Sequence, residues 1–367
     1  MVVRQRLQNA GREHGIADAR MTNKQYSHML LINARMPTRH NRPRRPEIGY
    51  AWRKLARLPR MHHVMARDNE RVHWRHSVAN RYVMLEARAV VRVAGADART
   101  FLQGLITQDV ERIDSRRAAY GAFLTPQGKY LHDFCIAALD DAILLDCEAA
   151  RADDLVSRLT RYRLRASVSI TSDPELAVAA LFNGASGKTL IDSLDREPGA
   201  ARPFAGGLLF VDPRNADLGL RAILPRAGAA AALAEAGFVA GTFAEYEDLR
   251  VALTVPDGSR DLEIDRTVLL EANFDALNGI AWDKGCYLGQ ELTARTKYRG
   301  LVKRRLVTVG FDGPPPAPGS TIEQNGRDVG TLRSTANGHA LASLRIDAID
   351  TAASAQLRAG DCPIRLL

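Results

Sequence analysis

The chain holds only four cysteines in 367 residues, at positions 135, 147, 286 and 362. None forms a CxxC pair or a zinc-ligand spacing, which excludes a zinc ribbon and a disulfide framework. Scattered thiols suit a reducing compartment such as the bacterial cytoplasm. No apolar run approaches the roughly 20 residues of a membrane span. MLLI is too short for a signal-peptide core, and the Ala-rich stretch 227–241, interrupted by Glu235, reads as an ordinary helix. Internal repeats and low-complexity tracts are also missing. GASGKT at 184–189 lacks the first glycine of a phosphate-binding loop, because that position is Phe182. Beyond residue 83 only His132 and His339 remain as imidazole bases, which leaves little for a Cys–His hydrolytic dyad.

The formal charge of +9 suggests nucleic acid until it is divided. Residues 1–83 carry 18 Lys and Arg against 5 Asp and Glu, a net of +13, with seven of the nine histidines and the run RHNRPRRP. Residues 84–367 carry 33 against 37, a net of −4. Basicity therefore belongs to the extension. Three readings compete for it: a disordered nucleic-acid-binding arm, a targeting segment, or sequence upstream of a later start. Glu13, Asp18 and the histidines weaken targeting. Periodic pattern begins at Met84, so a start at or near that residue is expected, with a solvated tail as the bland counterpart.

From Met84 strand and helix patterns alternate. ARAVVRVAG reads as a strand and ADARTFLQGLITQDV as a helix capped near Asp97. AAYGAFLTPQGKYLHDFCIAAL is a hairpin turning at Thr125-Pro126-Gln127-Gly128. A helix is expected over 188–195, and others in ARADDLVSRLTRYRL, RAGAAAALAEAG and TFAEYEDLRVALTV. GPPPAPG at 313–319 reads as a hinge, and Asn325-Gly326 as a two-residue hairpin turn in a small all-β end. The division is an extension over 1–83, an α+β region over 84–300 and a β unit over 301–367.

Residues 283–291, DKGCYLGQE, place a charged pair, two glycines and a cysteine in one short stretch. Cations late in YLGQELTARTKYRG and Gly300 beyond them suit a short helix, with Cys286 at its N-terminus and Lys284 favouring a thiolate. Gly285 and Gly289 would let backbone or ligand approach closely. The bland alternative is an inert cysteine in a turn.

DKGCYLGQE, followed by ARTKYRGLVKRRL, resembles the signature of the YgfZ-type folate-binding proteins. These are relatives of the glycine cleavage T-protein (GcvT) and include a mitochondrial assembly factor for 4Fe–4S proteins. VRVAGADARTFLQGLITQDV, TPQGKYLHDF, YEDLRVALTVP and VGTLRS extend the resemblance over nearly all of residues 84–367. It implies an α+β fold of three subdomains in a ring of the GcvT/YgfZ type, with a small C-terminal β-barrel. Tetrahydrofolate or a derivative would lie in a central cavity with the motif on its rim. Lys284, Gly285, Tyr287, Gly289, Gln290, Glu291, Arg295 and Asp133 would contact it, and Cys286 would be the reactive residue or a transient iron–sulfur ligand. No resident metal is expected.

The T-protein pattern is broken where this chain has Ala252, two residues after Arg250, and His132-Asp133 in place of paired aspartates. Both departures count against aminomethyl transfer. The resemblance implies a folate-binding accessory factor for assembly or repair of 4Fe–4S proteins, including tRNA-modifying radical enzymes. Its partners would be iron–sulfur assembly proteins and client enzymes, with no membrane. A folate-dependent one-carbon transferase is the enzymatic alternative. An RNA-binding protein using the basic arm is the third.

Overall fold

The computed structural model describes residues 80–182, 194, 196–352 and 356–367. The basic arm up to residue 79, the helix expected over 188–195 and the GASGKT turn lie outside the described residues, apart from position 194. After β1 (Arg81–Met84) come β2 (Arg88–Ala94), β3 (Ala119–Leu124), β4 (Tyr130–Leu139), β5 (Ala142–Glu148) and β6 (Ser169–Ser172). These last five form an antiparallel sheet in the order β3-β4-β5-β2-β6. β7 (Leu176–Phe182), β8 (Ala201–Phe204), β9 (Gly207–Val211), β10 (Leu220–Pro225) and β11 (Val239–Ala240) join β1 in a second sheet, ordered β11-β1-β7-β10-β9-β8.

Both faces of each sheet are covered, which explains why β4 reads as an almost unbroken apolar run rather than an alternation. One face of the first sheet packs under α1 (Ala98–Gln103) and α2 (Ala152–Arg163), through Leu102, Leu155 and Leu159. Its other face shares a core with the second sheet: Tyr120, Leu144, Phe182, Phe210 and Ile223 belong to one cluster. α3 (Ala229–Glu235) covers the far side of the second sheet with Leu233. α4 (Phe243–Ala252) starts at a full capping box between Thr242 and Glu245. One expectation changes here: α1 stops at Gln103, short of the expected run to Val110. Asp97 is the N-cap residue as expected, with its carboxylate accepting a hydrogen bond from Ser167 N–H rather than from the helix.

β12 (Arg304–Phe311), β13 (Thr321–Gln324), β14 (Arg327–Thr335), β15 (His339–Arg345), β16 (Leu357–Ala359) and β17 (Cys362–Leu366) close into a barrel ordered β12-β15-β14-β13-β16-β17. Val309, Ile322, Leu332, Ala342 and Leu344 fill it. The proline stretch 313–319 connects β12 to β13 inside the barrel, so it is a barrel loop and not a hinge between domains. Asn325 and Gly326 have φ of 53° and 74°, the paired left-handed conformation of a type I′ turn.

Buried charge ties these units together. Asp146 on β5 receives Arg88 Nε at 2.8 Å from β2 and Arg221 Nε from β10, so one carboxylate joins the two sheets. Burial alone would push its carboxyl up; the Arg221 and Arg88 guanidiniums outweigh that and hold it below the usual range. Asp212 takes Arg214 at 2.9 and 2.7 Å, and Tyr246 Oη on α4 lies 3.2 Å from Arg214. Arg250, also on α4, reaches Glu247 and Asp261, and Asp261 accepts the N–H of Ser334 on the barrel strand β14 at 2.9 Å.

β1 straddles the expected boundary at residues 83 and 84. It lies between β7 and β11, with Arg81 paired to both Phe182 and Val239. A chain beginning at Met84 should therefore melt well below one beginning at Asn80; equal melting temperatures would show that β1 adds nothing. Gly326→Val should cost about 1 kcal/mol or more through positive φ alone, since nothing lies within 4 Å of a Cβ there. An unchanged midpoint in thermal unfolding would count against the turn.

Candidate functional site

The signature segment runs beside residues 104–108 and is fastened to them repeatedly. Ala281 N–H donates to Thr107 O and Leu288 N–H to Gly104 O, both at 3.0 Å. Between these two, Lys284 Nζ donates to Ile106 O at 2.8 Å and Gln108 O at 2.6 Å. Thr107 Oγ1 adds a bond to Gly279 O at 2.6 Å, and Arg112 pairs with Asp283 at 2.5 Å. Burial draws Lys284 down to about 8, with Asp109 opposing. Its ammonium also sits 5.3 Å from the centre of the Tyr287 ring, whose hydroxyl is pushed up to about 12 by burial.

α5 (Gln290–Tyr298) begins after Gly289, which has a φ of +79°. Cys286 is therefore four residues ahead of the helix, and the expected placement at its N-terminus is corrected: Gly289 and Gln290 occupy that position. Gln290 Oε1 accepts the N–H of Tyr287 at 3.1 Å while its own N–H donates to Tyr287 O at 3.2 Å. Gly289 does permit a close approach, but to protein. A Cβ there would meet Thr125 O at 2.5 Å, and one on Gly128 would meet Gly289 O at 2.6 Å. The turn 125–128, closed by Gly128 N–H to Thr125 O, thus packs directly on the start of α5. Gly285 has open space around its Cα.

The outcome is a braced loop with one thiol outward. Cys286 is exposed, Cys362 is partly exposed, and Cys135 and Cys147 are buried. Glu291 and Arg295 also face outward. Asp133 is elsewhere, enclosed in the shared core, where Tyr130 and Tyr120 hydroxyls donate to its two oxygens at 2.7 and 2.8 Å. Burial raises its carboxyl, against the pull of Arg88 and the tyrosines. Neither histidine serves the thiol. His132 bonds Asp154 at 3.0 Å, and burial together with Arg151 lowers it to about 4; His339 Nε2 is 2.9 Å from Asp248 O. Among the described residues no group of three or more His, Cys, Asp or Glu side chains could hold a metal ion.

Gln108, Thr107 and Arg112 went unnoticed in the sequence, because their roles depend on contacts some 170 residues away. The Arg88–Asp146–Arg221 network did leave a signal: Asp146 interrupts the apolar strand AILLDCE.

Residues 303–367 match the family "CAF17, C-terminal beta-barrel domain". The chain is 34% identical over 278 residues to "Iron-sulfur cluster assembly factor IBA57, mitochondrial" of Homo sapiens, covering 71% of this chain and 76% of that protein. It is 33% identical over 285 residues to the Mus musculus protein of the same name, covering 72% and 77%. "Crystal structure of glycine cleavage system aminomethyltransferase T from Bartonella henselae" superposes with a TM-score of 0.64 at 16% identity, over 79% of this chain and 85% of that one. That likeness establishes the GcvT-like fold, here with a closed six-stranded barrel at its C-terminal end.

Cys286 should be the first thiol modified by a maleimide. Burial pushes Cys135 and Cys147 up to about 12, so at pH 8 only about one in ten thousand of either is a thiolate even before access is considered. Raising the pH through 9 should leave both unmodified in the folded chain. Peptide mapping that found either labelled before Cys286 would contradict the placement.

Proposed function

The chain belongs to the family of the IBA57 iron–sulfur cluster assembly factors, and from that premise we propose that it assists assembly or repair of iron–sulfur proteins, with Cys286 as the group that meets the cluster. The observation that carries the proposal is an exposed thiol on a loop fixed from both ends and from its middle by Lys284. A thiol held rigidly at the surface suits a cluster arriving on another macromolecule, since the ligand is already placed before the partner comes. With no group of three or more metal-ligating side chains among the described residues, Cys286 completes no cluster site within this chain, and the partner keeps most of the ligands. This makes the chain a helper in cluster handover to 4Fe–4S enzymes, tRNA-modifying radical enzymes among them, rather than a cluster store. The work belongs in a reducing compartment, the bacterial cytoplasm or the mitochondrial matrix.

A reduced folate is the ligand that the fold implies, and the residues present do not fit it as they stand. Lys284 and Gln290 already bond the protein's own backbone, Tyr287 is buried, and both oxygens of Asp133 are occupied by tyrosine hydroxyls. Only Glu291 and Arg295 remain outward of the polar set. The proposal therefore routes no step through folate.

In cells lacking this protein, Cys286→Ser should express and fold as the parent does yet restore little 4Fe–4S enzyme activity, because serine keeps the shape and loses the soft ligand. Full restoration by the serine variant would remove the sulfur from the mechanism.

A further inference from the structure

We propose that the outward face of α5 and the segment after it form the docking surface for an acidic protein, the one whose cluster Cys286 meets; this rests on the reading of that thiol given above. The charge distribution carries the inference. From Lys284 to Arg305 there are seven Lys and Arg and one acid, Glu291. The rest of residues 84–367 has 26 basic residues against 36 acidic ones. This short segment, which begins beside the exposed thiol, is thus net +6, while the rest of the body is net −10.

Fold requirements account for only part of it. Lys284 is bonded to two carbonyls and Arg305 to Asp275 and Leu270 O. Lys297 lies over the Trp282 ring, 3.4 Å from its centre. Arg295, Arg299 and Lys303 are exposed and have no acidic partner among the described residues. Between them stand Tyr298, 75% exposed, and Leu301, 47% exposed. Helical spacing explains the exposure of the first of these: Thr293 and Thr296 face inward, so Glu291, Arg295 and Tyr298 share the outer side. An exposed tyrosine with Arg295 one turn before it, Arg299 next to it and Lys297 Nζ 5.9 Å from its ring centre has the composition of a binding hot spot, with a flat amphipathic anchor and charge to set orientation. A basic field around the thiol also raises the rate at which an acidic partner arrives.

The field is measured with small probes first. Cys286 should react with a dianionic aromatic disulfide (dithiobis-nitrobenzoate) several-fold faster, relative to a neutral one (dithiodipyridine), than a model thiol does. About 0.5 M salt should abolish that preference. The double substitution Arg295→Glu with Arg299→Glu should lower the rate ratio about tenfold, while Arg165→Glu, on an exposed turn after α2, leaves it unchanged. In cells lacking the protein, the double variant at native expression should restore less than a third of 4Fe–4S enzyme activity. Strong overexpression should recover it, as expected for weakened association, whereas Cys286→Ser should not recover at any level.

Full complementation by the double variant at native expression, with Cys286→Ser inactive, would overturn the docking surface and leave the thiol's role intact. Full complementation by Cys286→Ser would overturn the reading of the thiol instead. Salt-sensitive RNA binding by the full chain, lost in the double variant although the basic arm is intact, would identify the surface as a nucleic-acid site and overturn the acidic protein.

Discussion

A carboxylate with no access to water, Asp146, sits between two guanidiniums that arrive from different sheets. Such a group has no tolerable half-measure. With both arginines present its charge is compensated; with one removed, a buried charge is left exposed to the low dielectric, at a cost of about 3–5 kcal/mol. The pairing therefore specifies one relative placement of β2, β5 and β10, where apolar packing alone would accept small slides. The same logic is repeated outward, through Asp212 and Arg214 to Tyr246, then along α4 to Arg250, Asp261 and the barrel backbone at Ser334.

That geometry is what holds the signature loop in place. Residues 278–288 are held at one end by Gln290 at the start of α5 and along their length by the strip after α1, which belongs to the first sheet through Ala122 N–H and Thr107. Conserving the loop's posture thus requires the sheet, and the sheet's placement requires the buried ions. The Cys286 thiol is a single exposed group, but its presentation is supplied by residues from positions 104 to 290.

Much of this could be read in the sequence, for identifiable reasons. The Asn325-Gly326 turn and the Thr125–Gly128 turn were legible because their conformations are dictated by the residues inside them. The α+β class and the β-rich end followed from local periodicity. Less legible was the limit of the body: Arg81–Met84 is a strand only because β7 and β11 flank it, and RYVM alone has too little pattern to show that. For several residues of the signature motif, local reading suggested contacts that the structure gives to other partners. Lys284 looked like an electrostatic partner for the thiol, yet its ammonium is committed to backbone carbonyls. Gly289 looked like room for a ligand, yet a hairpin occupies it. Those assignments depend on which strand comes alongside, which is long-range information.

The meeting of Gly128 and Gly289 has a consequence in time as well as space. The two backbones touch so closely that neither residue can carry a side chain, and 161 positions of chain separate them. Contacts of that span close late, because the loop entropy must be met before they return anything. A growing or partly folded chain can possess Cys286 long before it possesses the hairpin against which the loop is set. By this argument the loop's final posture is among the later features to form, and Cys286 is held in its presented form only in molecules that have completed the first sheet.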